Sequence, residues 1–282
     1  MLVDAWTIPG SEGHPILGNC HHATGSARGV VILVHGFKGY KDYGMFPWLA
    51  TRLSAAGLVT HRFNFSHSGM TNRIDTFERP DLFERDTWDR QVHDLLAIVD
   101  ALRNGVLPGS GLPVVLFGHS RGGVTCLLFA GRHAETHGEH LTGIITAATP
   151  AATNRLSDDD QQTLLREGRF ASPSARTGQT LYIGADWLQT QRDDPAGHDL
   201  ATLLPRIVQP ITLIHGDADE TVPVADVHTL HALRKTNTQV VIVPGANHVF
   251  SAPNPMNIND NPPTALNGLL HAVHGSINEW LP

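Results

Sequence analysis

Five short runs of this chain are almost wholly apolar and rich in β-branched residues: Gly29 to His35 (GVVILVH), Pro113 to Gly118 (PVVLFG), Leu141 to Thr146 (LTGIIT), Pro210 to His215 (PITLIH) and Gln239 to Val243 (QVVIV). A segment that offers no polar face to water reads as a strand covered on both sides, the condition of a parallel sheet. Leu58 to Phe65 (LVTHRFNF) is a further strand candidate, and Thr180 to Ile183 a weaker one. Helical spacing appears between the runs, first at Phe46, Leu49, Ala50 and Leu53, then at Val92, Leu95, Leu96, Val99 and Leu102. Strand and helix alternate along the chain, so the expected fold class is α/β: a mostly parallel central sheet with helices on both faces and right-handed crossovers.

The chain has 282 residues, of which 41% are hydrophobic and 17% charged, enough apolar material for one large core. One stretch breaks the alternation. From about Pro150 to Pro205 the sequence carries acidic clusters (Asp158 to Asp160, then Asp193 and Asp194) and little strand signal. Loops this long are usually functional or disordered. We read residues 1–149 and 206–282 as the core and residues 150–205 as a lid or cap inserted into it. A Pro- and Asn-rich stretch, Ala252 to Pro263, precedes a last helix ending near Trp280.

Charge and composition exclude several classes. The net charge is −7 with histidine neutral, and no Lys/Arg run supplies the basic face that nucleic acid requires. No segment approaches the ~18 uninterrupted apolar residues of a membrane span. The first residues, MLVDAWTIPGSEGHP, lack the basic and apolar regions of an export signal, so a cytoplasmic location is expected. Two cysteines make no disulfide framework, and Cys126 lies in an apolar run that suits a small buried hydrophobe. Cys20-His21-His22 lacks a second ligand pair at metal-binding spacing, so neither metal nor cofactor is expected. The sequence leaves the oligomeric state open.

The strongest local signal is Gly118-His119-Ser120-Arg121-Gly122-Gly123, which follows the run VVLF and precedes an apolar helical pattern. A G-x-S-x-G pentapeptide between strand and helix is a nucleophile elbow: the serine is held in a tight turn with its hydroxyl at the sheet edge, beside the positive end of a helix. A serine hydroxyl is a weak nucleophile and needs a base. His248, just beyond the run QVVIV, stands in place for it. Asp219, just beyond ITLIH, stands in place to orient that histidine, with Asp217 as competitor and Glu220 more remote. After GVVILVH comes His35-Gly36-Phe37-Lys38-Gly39. The backbone N–H groups of Phe37 and Arg121 are the candidate oxyanion donors, and His35 reads as structural. His119, Tyr40, Phe250 and Trp187 are candidate substrate-binding residues, with Phe37 beside them.

These motifs resemble the α/β-hydrolase superfamily over roughly residues 28–281. Within it they are similar to serine esterases, feruloyl/cinnamoyl esterase-like proteins, S33/S9 peptidase-like hydrolases and dienelactone-hydrolase-like proteins. The resemblance implies an esterase acting on a small-molecule ester, with aromatic or short-chain acyl groups, through an acyl-enzyme formed on Ser120. A peptidase, amidase or acyltransferase using the same residues is the alternative. A non-catalytic binding protein on this fold would have no need of the ordered Ser, Asp and His. At Phe63 to Gly69 the chain departs from the family's usual strand-end pattern, with Asn64 where Asp is common and Ser68 at a usually small position. Dienelactone hydrolases proper use a cysteine nucleophile, against which Ser120 argues.

Overall fold

The computed structural model describes residues 2–281. Ten strands are present among them: β1 (Val3–Pro9), β2 (Pro15–His21), β3 (Gly29–Val34), β4 (Leu58–Asn64), β5 (Val114–His119), β6 (Leu141–Ala147), β7 (Arg169–Pro173), β8 (Thr180–Gly184), β9 (Ile211–Gly216) and β10 (Thr238–Val243). Eight of them form one sheet in the order β1-β2-β4-β3-β5-β6-β9-β10. From β4 to β10 every pairing is parallel, while β1 and β2 add an antiparallel hairpin at one edge. This is an α/β-hydrolase fold. The hairpin was not expected from the sequence, because β1 is largely exposed and its mixed sequence VDAWTIP carries no apolar run.

The apolar runs are explained by what covers them. Along β3, Val30, Ile32 and Val34 join one core cluster and Val31 and Leu33 the other; along β5, Leu116 joins the first and Val115 and Phe117 the second. This is the two-residue alternation of a strand with both faces buried. On the first face lie α3 (Trp88–Arg103), α4 (Arg121–Arg132) and α9 (Ala225–Leu233). On the second lie α1 (Met45–Ala55) and α10 (Thr264–Trp280), which present Phe46, Leu49 and Leu53, and Leu266, Leu269, Val273 and Ile277.

Strand register decides where the loops emerge. Val34 of β3 is level with Gly118 of β5, His119 with Ala147 of β6, and Val243 of β10 with Gly216 of β9. The loops that follow β3, β5, β9 and β10 therefore leave the sheet at one edge, the carboxyl edge where parallel α/β sheets place their ligands.

Between Ala147 and Ile211 the chain adds no strand to this sheet. It forms α6 (Asp158–Glu167), the β7–β8 hairpin and α7 (Asp186–Asp193). The β7 strand, RFASP, is exposed on alternate residues and too polar to stand out in the sequence. Leu181 of β8 is buried with Tyr40, Met70, Phe77 and Phe83 in a small third core that joins the hairpin to the loops before α3. From Leu200 on the segment is core: Leu200, Leu203 and Leu204 pack in the first cluster. No helix among the described residues is long and apolar enough to cross a membrane.

Candidate active site

Ser120 lies between β5 and α4 with φ +54° and ψ −124°. A side chain rarely adopts that backbone region, and holding one there costs roughly 1–3 kcal/mol. The surroundings enforce it. The Ser120 N–H donates to the Ala147 carbonyl at 2.8 Å, and the Gly123 N–H donates back to the Ser120 carbonyl at 2.9 Å. Strand and helix approach too closely for side chains on either flank. A Cβ on Gly118 would stand 2.5 Å from the Gly122 carbonyl oxygen, and one on Gly122 would stand 2.3 Å from that of Val34.

The hydroxyl meets a hydrogen-bonded chain. His248 Nε2 is 3.0 Å from Ser120 Oγ, and His248 Nδ1 is 2.9 Å from Asp219 Oδ2. Asp219 Oδ1 accepts from the backbone N–H groups of Thr221 and Val222 at 2.8 and 2.9 Å. Burial alone would raise the pKa of this carboxyl. The Val222 N–H and the His248 ring, with Thr221, outweigh it and hold the pKa below the ordinary value. Asp217 points elsewhere: it is exposed, and its Oδ1 accepts from the Gly245 N–H at 2.6 Å, tying the loop after β9 to the one after β10.

His248 is fixed from behind. Asn247 Oδ1 accepts from the N–H groups of Val249 and Ser251, closing a turn around His248. His119 Nε2 donates to the His248 carbonyl at 2.7 Å. Burial lowers the His119 pKa to about 3, so this ring is neutral and keeps the proton that the bond needs. His35 is buried as well, with a pKa lowered to about 4 by burial, and its ring nitrogens meet the Gly36 carbonyl and the Phe65 N–H.

The turn after β3 presses on the elbow: a Cβ on Gly36 would lie 3.0 Å from the Ser120 Cβ. Among the described residues, no backbone hydrogen bond uses the N–H of Phe37 or of Arg121. The side chains of these two residues also meet, the Arg121 guanidinium lying 5.6 Å from the Phe37 ring centre and 4.6 Å from that of Trp88.

Two cavities flank Ser120, and Phe37 stands in the wall of both. One, of about 210 Å³, is mixed in polarity and is walled by Lys38, Tyr43, His119, Ser174, Arg176 and His248 among others. The other, of about 300 Å³, is chiefly apolar, with Trp88, Leu156, Phe170, Ile183, Trp187 and Val222 around it. The substrate-binding residues nominated from sequence divide accordingly. His119 lines the first cavity and Trp187 the second. Tyr40 and Phe250 line neither: both are buried core residues, Phe250 at 0% exposure. Their neighbours Tyr43 and Val249 hold the wall instead. The residues around Tyr40 and Phe250 are apolar enough to draw these rings inward, which adjacency to a motif does not reveal.

Residues 31–260 match the family model described as the alpha/beta hydrolase family. The chain belongs to that family. Known structures share the fold of this alpha/beta hydrolase at low identity. Est1E from Butyrivibrio proteoclasticus, in a structure with ferulic acid bound, is 18% identical over 98% of this chain and 99% of its own, with a TM-score of 0.73. Alpha/beta hydrolase domain-containing protein 10 from mouse is 17% identical over 98% and 99%, with a TM-score of 0.70. Dienelactone hydrolase from Anabaena variabilis is 17% identical over 99% of both chains, with a TM-score of 0.63. No curated protein matches the sequence of this alpha/beta hydrolase.

Metal-ligand geometry is found at Glu12, His14 and His67, away from Ser120. Glu12 is already held by the guanidinium groups of Arg85 and Arg90, whose charge opposes a cation there. In Cys20-His21-His22, His21 accepts from Arg62 and His22 pairs with Asp4.

Proposed function

We propose that this alpha/beta hydrolase is a carboxylic-ester hydrolase with Ser120 as nucleophile, His248 as general base and acid, and Asp219 as its orienting carboxylate. The observation that carries the reading is the chain Ser120 Oγ, His248 Nε2, His248 Nδ1, Asp219 Oδ2, with 3.0 and 2.9 Å at its two hydrogen bonds. Ser120 Oγ attacks the ester carbonyl carbon while its proton passes to His248 Nε2. The carbonyl oxygen becomes an oxyanion, received by the N–H groups of Phe37 and Arg121 at the start of α4. The intermediate collapses, the C–O bond to the alcohol breaks, and the departing oxygen takes the proton from His248. Water then attacks the acyl-enzyme, gives its proton to His248, and releases the carboxylic acid as Ser120 recovers its hydrogen.

The two cavities receive the two halves of the ester. The group that protonates the leaving alcohol must reach its oxygen, and His248 lines the smaller, polar cavity but not the apolar one. The alcohol therefore occupies the polar side. The acyl group occupies the apolar side, whose aromatic walls and size suit an aromatic or short-chain acyl group. Residues 150–205, our cap segment, supply Phe170, Ile183 and Trp187 to that wall. The free, buried thiols of Cys20 and Cys126 support the cytoplasmic location expected from the sequence.

A panel of p-nitrophenyl esters and aminoacyl-p-nitroanilides tests the reading. Ester turnover that vanishes in Ser120→Ala is the expected result. Turnover of anilides alone would make the enzyme an amidase, and failure of a fluorophosphonate probe to label Ser120 would remove the nucleophile.

A further inference from the structure

The polar cavity beside Ser120 has an uneven charge. Lys38 and Arg176 both line it, and no Asp or Glu does. This occurs in a chain with 27 acidic residues against 20 Lys and Arg. Among the described residues neither cation has an ion-pair partner. Lys38 Nζ donates to the Pro173 carbonyl at 2.7 Å. Arg176 donates to the Ile74 carbonyl and to Met70 Sδ. Asp75, whose carboxylate feels the Arg176 charge, is exposed and bonded to Arg73. Each cation thus retains N–H donors that no protein group uses.

Arg176 also sits against two aromatic rings. Its guanidinium lies 4.7 Å from the Tyr40 ring centre and 5.1 Å from that of Phe77. Cation–π contact with two buried rings restrains the group. Tyr40 therefore acts on this cavity from behind its wall. Lys38 follows Phe37 directly in a turn where its own φ is +55°, and it lines the same space as Arg176. Partial burial lowers its pKa by taking water from the ammonium.

We infer that the leaving alcohol of the substrate carries an anionic oxygen group, a carboxylate or a phosphate, bound by Lys38 and Arg176. This rests on the assignment of the polar cavity to the alcohol under the proposed ester hydrolysis. The enzyme would then select esters that join an apolar acyl group to an anionic alcohol. Such selection suits this site, because cations without ion-pair partners in a partly enclosed cavity gain more from an anion than from a neutral group.

The test compares butyrate esters of 4-nitrophenols that carry a carboxylate, a phosphonate or a neutral methoxycarbonyl group at position 3. The wild type should favour an anionic ester over the neutral one by about tenfold in kcat/KM, the size expected of one charge-assisted contact. The carboxylate and phosphonate arms tell the two anions apart. In Lys38→Met and Arg176→Met the anionic-to-neutral ratio should fall severalfold, and in the double variant it should approach one. Lys38→Arg, which retains the charge, should retain the preference. A wild-type ratio at or below one, with the neutral ester still turned over, would overturn the anion site and leave ester hydrolysis standing. So would a ratio unchanged in both Met variants. Calorimetric binding of 3-hydroxybenzoate, with phenol as control, decides the anion site independently of turnover. Binding that weakens about tenfold in Arg176→Met supports the site even if no ester is hydrolysed, and equal binding of the two compounds overturns it.

Discussion

Arg121 Nη2 lies 3.1 Å from Asp86 Oδ2, a largely buried ion pair on the residue that follows Ser120. Asp86 Oδ2 also accepts from Gln91 of α3, and Gln91 accepts from Thr125 of α4, so the network returns to the helix it began on. Burial works against the charge on both partners, raising the Asp86 pKa and lowering that of Arg121, and their mutual attraction opposes it. Such a pair is expensive to form and more expensive to halve. Asp86→Ala should lower unfolding stability by about 3–5 kcal/mol in urea denaturation. A loss below about 1 kcal/mol would mean that the pair is already relaxed by water.

Asp219 and Asp217 sit two residues apart and do different work. Asp219→Asn keeps the shape of the site but loses the charge that, in the proposed mechanism, stabilises an imidazolium. Its kcat should fall by about 10⁴. Asp217→Asn should leave kcat within a few-fold and cost about 1 kcal/mol of stability through its bond to the Gly245 N–H. Steady-state kinetics on both variants separates them, and the reverse order of effects would exchange the two assignments.

Gly122 and Gly123 fail for different reasons when given a side chain. A Cβ on Gly122 meets the backbone of Val34 and His35, which cannot step aside, whereas a Cβ on Gly123 meets the Thr149 side chain, its Oγ1 at 1.9 Å. Gly122→Ala should abolish both soluble folding and activity. Gly123→Ala should be damaged too, but Thr149→Ala in the same chain should recover part of its thermal stability. Absence of any such rescue would place the strain elsewhere.

Several histidines resist protonation in the folded state. His21, His35, His61 and His67 have pKa values lowered to about 4, and His119 to about 3, burial being the main cause in each. A group with a depressed pKa takes up its proton on unfolding, at any pH between its folded value and the unfolded value near 6.5. Stability is therefore fully present above about pH 6.5 and drains away as the pH falls toward 4. In His61→Gln, where the lost Nε2 contact is to the Pro108 carbonyl, the pH slope between 5 and 6 should shrink by close to one proton, about 1.4 kcal/mol per pH unit. Urea denaturation across this range measures it, and an unaltered slope would show that His61 titrates normally when folded.

Legibility from sequence followed burial. The runs around Val31, Leu116 and Ile214 announced themselves because a strand covered on both faces has no polar residues to disguise it. Strands β1 and β7 were hidden for the opposite reason, since water accepts their mixed side chains, and β8 showed only weakly, as Thr180 to Ile183. Ser120, Asp219 and His248 could be nominated because each follows a strand, and chain order alone places strand ends. Tyr40 and Phe250 were nominated on adjacency, and packing took them into the core.

The sequence by itself determined the parallel sheet, the elbow at Gly118 to Gly122 and the candidates for nucleophile, acid and base, because these depend on local pattern and on order along one chain. Only the tertiary structure decided that Asp217 ties two loops together while Asp219 faces His248, that two cavities of unlike polarity meet at Ser120, and that Lys38 shares one of them with Arg176. Those are relations across space. A hydrogen bond or an unpaired charge is defined by its neighbours, and residues 138 positions apart in sequence become neighbours only when the chain folds.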